Sequence, residues 1–262
     1  MTVIREAAVA GQFYPGSAGE LSTTVEKYLD EAPVEAGPRP KALIVPHAGY
    51  IYSGPVAASA YARLRPYRDQ ISRVILLGPC HRVPFHGLAL SGADVFRTPL
   101  GDVPLDKKAI ASLDLPAVKV FDHTHAFEHS LEVHLPFLQT LLDEFMLVPL
   151  VVGDAAAETV AEVLESLWGG PETLIIISSD LSHYLDYDTA KKRDQATCQA
   201  IEHFDTKSIG PEEACGCHPI GGLLEVAKHR GMMVETLDLR NSADTAGHRA
   251  QVVGYGSWLF VD

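Results

Sequence analysis

The sequence is short of the residues that mark several broad protein classes. Four cysteines in 262 residues, Cys80, Cys198, Cys215 and Cys217, are too few and too scattered for a disulfide framework, so reduced thiols or thiolate ligands are expected. No segment reaches the roughly 18 consecutive apolar residues of a membrane span, and MTVIREAAVAGQFYP carries charge and proline where a secretory leader needs an unbroken apolar stretch. A cytoplasmic protein is expected. Cations are in deficit: 21 Lys and Arg stand against 34 Asp and Glu, and the resulting net charge of -13 repels phosphate backbones. With no basic cluster interleaved with aromatics, neither nucleic acid nor a membrane is an expected partner. There is no P-loop, no GxGxxG between strand and helix, no internal repeat, no low-complexity segment and no linker. One domain over residues 1–262 is the simplest reading.

What the chain does contain is enough apolar residue, 47%, to bury a sizeable core. Short β-rich runs alternate with stretches of helical period, the pattern of βα units around a mostly parallel sheet. Strands are expected at Ala42–Val45, Val74–Leu77, Leu88–Leu90, Val118–Phe121, Leu147–Val152, Leu174–Ser178, Val234–Leu239 and Val252–Phe260. Helices are expected at Pro55–Leu64, Leu105–Leu113, Ser130–Phe145, Ala156–Trp168, Thr189–His203 and Ile220–His229. Within the third of these, Pro136 implies a later start or a kink.

Five histidines, His47, His81, His129, His183 and His218, sit at or near the end of an apolar run. In an open α/β sheet those ends are where ligands bind, and imidazole both ligates metals and exchanges protons near neutral pH. His47 and His81 each follow a strand directly, behind Pro46 and Gly78-Pro79. Either alone is an ordinary hydrogen-bonded loop residue; two at equivalent strand ends suggest a metal pair that needs a third ligand. Cys215, in a glycine-bearing turn leading into a helix, could close that site, since amide dipoles would favour its thiolate. Cys217 and His218 follow it, but no second cysteine pair with finger spacing exists. Cys198 reads as a small buried apolar residue.

Asp180 and His183, in SSDLSHY, form a candidate acid/base pair, with Asp180 capping the next segment as the alternative. The stretch HTHAFEHSLEVHLPF concentrates His123, His125, Glu128, His129, Glu132 and His134. If it is helical, His129 and Glu132 share a face and are expected to support ligands or substrate through hydrogen bonds, the others being solvated.

The blocks GQFYP, VPHAGYIYSG, LGPCH, EHSLEVHLPFL, SSDLSHY, CGCHPIG and VVGYGS, in this order over nearly the whole chain, together resemble the Memo family. Its prokaryotic members are called AmmeMemoRadiSam system protein B. The resemblance implies a three-layer αβα sandwich with a central mostly parallel or mixed sheet, like the class III extradiol dioxygenases, which bind non-haem iron through two histidines and a carboxylate. It implies His47, His81 and Cys215 as metal ligands, His183 as the acid/base histidine and Asp180 as its companion. A thiolate ligand suits iron, copper or zinc and is itself oxidisable, so ring cleavage does not simply carry over. Iron(II) is the first expectation and copper or zinc the alternatives. Cys80 stands where serine or asparagine commonly precedes the ligand histidine, and with Cys217 it offers a spare thiol or a redox partner for Cys215. The expected function is a metal-dependent redox enzyme of unknown substrate. The alternatives are a zinc-type metallohydrolase, with Asp180 or His183 as base, and a non-catalytic binding or scaffold protein for a small molecule or peptide, as in eukaryotic relatives associated with receptor-tyrosine-kinase signalling. The family name further implies functional association with radical SAM and AMMECR1-like proteins.

Overall fold

Strands covered on both faces are apolar along nearly their whole length, and the runs ALIV, VILLG, LVPLVV and LIII meet that requirement. In the computed structural model, which describes residues 2–33 and 37–262, all four lie side by side at the centre of one sheet. In chain order the strands are β1 (Ile4–Arg5), β2 (Ala42–Val45), β3 (Arg73–Pro79), β4 (Leu88–Leu90), β5 (Val95–Thr98), β6 (Gly101–Pro104), β7 (Val118–Val120), β8 (Met146–Val152), β9 (Thr173–Ser178), β10 (His183–Leu185), β11 (Met233–Asn241) and β12 (Val252–Val261). The helices are α1 (Ala18–Glu31), α2 (Tyr50–Tyr61), α3 (Lys107–Ser112), α4 (Asp122–His125), α5 (Leu135–Leu141), α6 (Ala157–Leu167), α7 (Tyr187–Glu202) and α8 (Cys217–Arg230).

The main sheet runs β10-β12-β2-β9-β3-β8-β4-β7, with β11 on the other side of β12. Its middle four strands, β2, β9, β3 and β8, are parallel, while β12 and β4 pair antiparallel to β2 and β8. The sheet is therefore mixed around a parallel centre. Successive strand residues face opposite cores: Leu43 and Val45 pack with α1, α2 and α5, whereas Ala42 and Ile44 pack with α6, α7 and α8. This is a three-layer αβα arrangement. In α6, Val160, Val163, Leu164 and Leu167 are buried as one stripe. At about 1.5–3 kcal/mol each, their burial outweighs the poor stability of an isolated helix this short.

All eight expected strands are present, within a few residues of their expected limits. The helices differ more. The segment expected to be helical over 130–145 is helical only as α5, after a short 3-10 turn at Glu132–His134, because Pro136 is accommodated where its missing N–H has no helical partner. Conversely α2 begins at Tyr50, a turn before Pro55, whose absent hydrogen bond would have gone to the carbonyl of the exposed Ile51. α1 is an addition to the expected set, although its buried Leu21, Val25 and Leu29 recur every four residues. So is the small sheet β1-β5-β6. No helix among the described residues is long and apolar enough to cross a membrane.

Candidate metal centre

Three parallel strands deliver the centre. β2 and β9 end level with each other, Val45 opposite Ser178, and β3 flanks β9 on its far side. Two residues beyond each strand's last residue stands a reactive side chain: His47 after Val45, Asp180 after Ser178, His81 after Pro79. The strand-end reading of His47 and His81 places both at one edge of the sheet, and their ring centroids are 5.1 Å apart.

His47 is buried, with Nδ1 2.7 Å from Ser178 Oγ and its backbone N–H donating to Asp180 Oδ1 at 2.7 Å. His81 is more exposed; its Nδ1 lies 2.8 Å from Glu128 Oε1, and its backbone N–H donates to Glu128 Oε2 at 2.7 Å. The third imidazole comes from the turn after α4. His129 stacks on His81 at 4.7 Å and 26°, and Phe13 of the N-terminal segment covers it at 4.7 Å. Among the described residues, ligating atoms of His47, His81 and His129 all lie within 4.8 Å of one another. His129 Nδ1 is buried without a hydrogen bond: Glu128 Oε1 is 3.3 Å away but outside hydrogen-bond geometry. Burial, reinforced by the neighbouring histidines, holds His47 well below the ordinary imidazole range, and burial takes His129 down to about 4. Both are therefore neutral near pH 7, the form that ligates metals.

Cys215 adjoins this cluster through His47, with Sγ 3.5 Å from Nε2. Gly216 makes the approach possible, since a Cβ there would stand 2.6 Å from the Ser178 carbonyl oxygen. The expectation that a helix N-terminus would favour the thiolate is reversed. Burial first, and then the Asp180 carboxylate, push the Cys215 thiol far up, so that only a bound cation would deprotonate it. Cys217, the first residue of α8, is buried in the core, and Cys80 Sγ donates to the Val83 carbonyl in its own loop. Neither belongs to the imidazole group. Cys198 is buried in α7.

Asp180 caps no helix; its carboxylate takes the His47 amide, and burial raises its affinity for a proton. His183, on β10, is partly exposed and near enough for its charge to act on both Asp180 and His47. His218, in the first turn of α8, is only partly buried.

The segment 123–134 is more deeply used than the sequence suggested. Of the residues expected to be solvated, His123 is exposed, but His125, Glu128 and His134 are buried. Burial would raise the Glu128 carboxyl, yet hydrogen bonds from the His81 ring and from the His81 and Ser130 amides hold it at about 2. Glu128 is thus an anion that orients His81 and leaves its Nε2 toward the cluster, the carboxylate–histidine arrangement common behind metals. Glu132, expected beside His129 on a helix face, instead accepts hydrogen bonds from the N-terminal segment: from Arg5, the amides of Ala8 and Val9, and the Tyr14 hydroxyl. A carboxylate directly before His129 and a histidine set among apolar residues in LEVHLP were the available signals for Glu128 and His134.

Comparison with known proteins agrees with the motifs. The family model described as "Memo-like protein" matches residues 5–259. A MEMO1 family protein of Aquifex aeolicus is 35% identical over 270 residues, covering 98% of this chain and 99% of its own. Protein MEMO1 of Danio rerio is 37% identical over 256 residues, covering 85% of this chain and 84% of its own. Among solved structures, an uncharacterized protein from Escherichia coli K12 aligns with 83% of this chain and 98% of its own, at TM-score 0.48 and 13% identity.

Proposed function

The chain belongs to the Memo-like protein family, and on that footing we propose that it is a metal-dependent oxidoreductase whose ion is held at the ends of β2 and β3. One observation carries the reading: His47, whose ligating atoms lie within 4.8 Å of those of His81 and His129, faces Cys215 Sγ through Nε2 at 3.5 Å, with Cys215 standing just outside the three-imidazole group. Two donors on one tetrahedral ion, nitrogen at about 2.0 Å and sulfur at about 2.3 Å, stand about 3.5 Å apart. The unbonded Nδ1 of His129 is the kind of buried polar atom that a ligand would satisfy.

In this reading His47 and His81 hold the ion through Nε2 and Cys215 supplies the third donor. His129 is left to touch what binds beside it. Iron is the expected metal, supplying redox chemistry as in the class III extradiol dioxygenases, whose fold and strand-end histidines this arrangement would share. Asp180 positions His47 through its amide, and His183, partly exposed at the mouth, moves protons to and from substrate. Glu128 keeps the His81 proton on Nδ1.

The three-imidazole group favours a second reading, zinc-assisted hydrolysis, because three histidines with an open position suit zinc. Anaerobic purification with elemental analysis separates the two. Iron near one per chain in wild type and in His129→Ala, lost in His81→Ala and Cys215→Ser, is the expected result. Zinc as sole metal, with a hydrolytic activity lost on chelation, would support the second reading. Full metal occupancy in both His81→Ala and Cys215→Ser would refute the site itself.

A further inference from the structure

One buried oxygen behind the centre has more neighbours than it has protons to give. Ser178 Oγ is 2.6 Å from the Ser130 carbonyl oxygen, 2.7 Å from His47 Nδ1 and 2.8 Å from His134 Nε2. A hydroxyl carries one hydrogen and accepts at two lone pairs. The Ser130 carbonyl can only accept, so it takes the hydroxyl hydrogen, and both imidazole nitrogens must then be donors. With its proton on Nε2, His134 presents a bare Nδ1, which accepts from the Tyr61 hydroxyl at 2.8 Å. Every proton in the chain Tyr61–His134–Ser178–His47 is thereby assigned.

We propose that Ser178 is a positioning residue that holds His47 as its Nδ1–H tautomer, so that the Nε2 lone pair faces the centre; the Ser130 carbonyl sets its direction, and His134 and Tyr61 complete the chain on the far side without setting it. Moving the His47 proton to Nε2 would leave its Nδ1 lone pair facing one on Ser178, or turn the Ser178 hydrogen away from the Ser130 carbonyl and set two oxygens 2.6 Å apart with no hydrogen between them. Either outcome disfavours the wrong tautomer by about tenfold or more, the equilibrium equivalent of one buried hydrogen bond. The chain is a brace and not a proton path. Ser178, His134 and Tyr61 are at most 1% exposed, and the Tyr61 ring is closed off by stacking on Phe137 at 5.0 Å. His81 gains the same Nδ1–H tautomer by a different device, the Glu128 carboxylate.

The consequence for affinity rests on the metal reading above, but the tautomer does not, and the test keeps them apart. In metal-free, histidine-15N-labelled full-length protein, long-range 1H–15N correlation spectra report which ring nitrogen carries the proton. The wild type is expected to show His47 protonated on Nδ1 and His134 on Nε2. Ser178→Ala is expected to give a mixture at His47 and to weaken cobalt(II) binding about tenfold or more, because the ring is also freed to rotate. Tyr61→Phe should leave the His47 tautomer intact and cobalt affinity within about threefold, since Ser130 alone commits the Ser178 hydrogen. A wild-type His47 protonated on Nε2, or an unchanged tautomer in folded Ser178→Ala, would overturn the proposal, and the wild-type spectrum decides even if that variant does not fold. Correct tautomers in a protein that binds no cobalt would uphold the positioning role and refute the metal reading.

Discussion

Glu128 and Glu132 are buried carboxylates four residues apart, and replacing each by glutamine should separate a residue of the site from a residue of the fold. Glu132 accepts on both oxygens: Arg5 and the Ala8 amide on Oε2, the Val9 amide and the Tyr14 hydroxyl on Oε1. A glutamine amide must turn its NH2 toward one of these pairs: in the place of Oε2 it leaves Arg5 and the Ala8 amide without an acceptor, whereas in the place of Oε1 the Tyr14 hydroxyl can turn to accept and the Val9 amide alone is unpaired, Arg5 facing a neutral amide in either case. One unpaired buried amide together with the lost anion opposite Arg5 should make Glu132→Gln cost about 3–5 kcal/mol, as for breaking a buried ion pair from one side. Glu128 differs. Its Oε1 takes the His81 ring and the amides of His129 and Ser130, but its Oε2 takes only the His81 amide. A glutamine can keep the first three and lose one, at about 2 kcal/mol. Urea unfolding of metal-free protein measures both costs. Cobalt(II) affinity of the folded variants should show the opposite order: a loss of about 10–100-fold for Glu128→Gln, which removes the anion behind His81, and little change for Glu132→Gln. Equal losses of affinity would refute the division and return Glu132 to the supporting role its spacing from His129 suggests.

Burial raises the Asp194 carboxyl to about 6, against a hydrogen bond from Ser182, and leaves Oδ2 without a partner. The folded protein therefore holds this proton more tightly than the unfolded chain, and the associated stability is lost as pH rises from about 4 through about 6. Asp194→Asn should be more stable than wild type by about 2–3 kcal/mol at pH 8, narrowing toward pH 4, in urea titrations at the two pH values. Gly216→Ala should displace Cys215, because the new methyl would meet the Ser178 carbonyl oxygen and the Ser179 side chain at 2.6–2.8 Å; a stability loss of about 2 kcal/mol or more with lowered metal occupancy is the expected pair of readings. Lys41, buried over Trp168, donates to the carbonyls of Trp168, Gly170 and Thr173. Lys41→Met should cost about 2–3 kcal/mol in the same assay and leave metal content unchanged.

Several features could be read from the sequence because each follows from local chemistry. The four central strands are apolar through their middles, with polar residues such as Arg73, Thr173 and Ser178 only at their ends, and only a doubly covered strand tolerates that, so Ala42–Val45 and Leu174–Ser178 were legible almost to the residue. Histidines set just past such runs must stand at the sheet's edge, and the ordered blocks identify the family. Helix limits were harder to read, because α2 and the start of α5 depend on where a proline falls relative to a helix end, which neighbouring segments decide.

The pairing of roles within the centre belongs to the tertiary structure. Sequence spacing put His129 and Glu132 on one helical face; the chain there is instead a turn followed by a single 3-10 turn, which sends His129 toward His81 and Glu132 toward Arg5. Glu128, Ser178 and His134 looked like a solvated acid, a strand-end serine and a solvated histidine, and each became a partner of a candidate ligand only when segments far apart in sequence met. The protonation of Cys215 was likewise beyond local reading. A helix N-terminus argues for a thiolate, but burial against Asp180, 35 residues away, argues more strongly for the thiol. The sequence by itself determined which residues could bind or move charge, since that is a property of side-chain type and strand ends. Which of them do so was decided by desolvation and hydrogen bonding across the assembled strand ends, interactions that exist only once the sheet has formed.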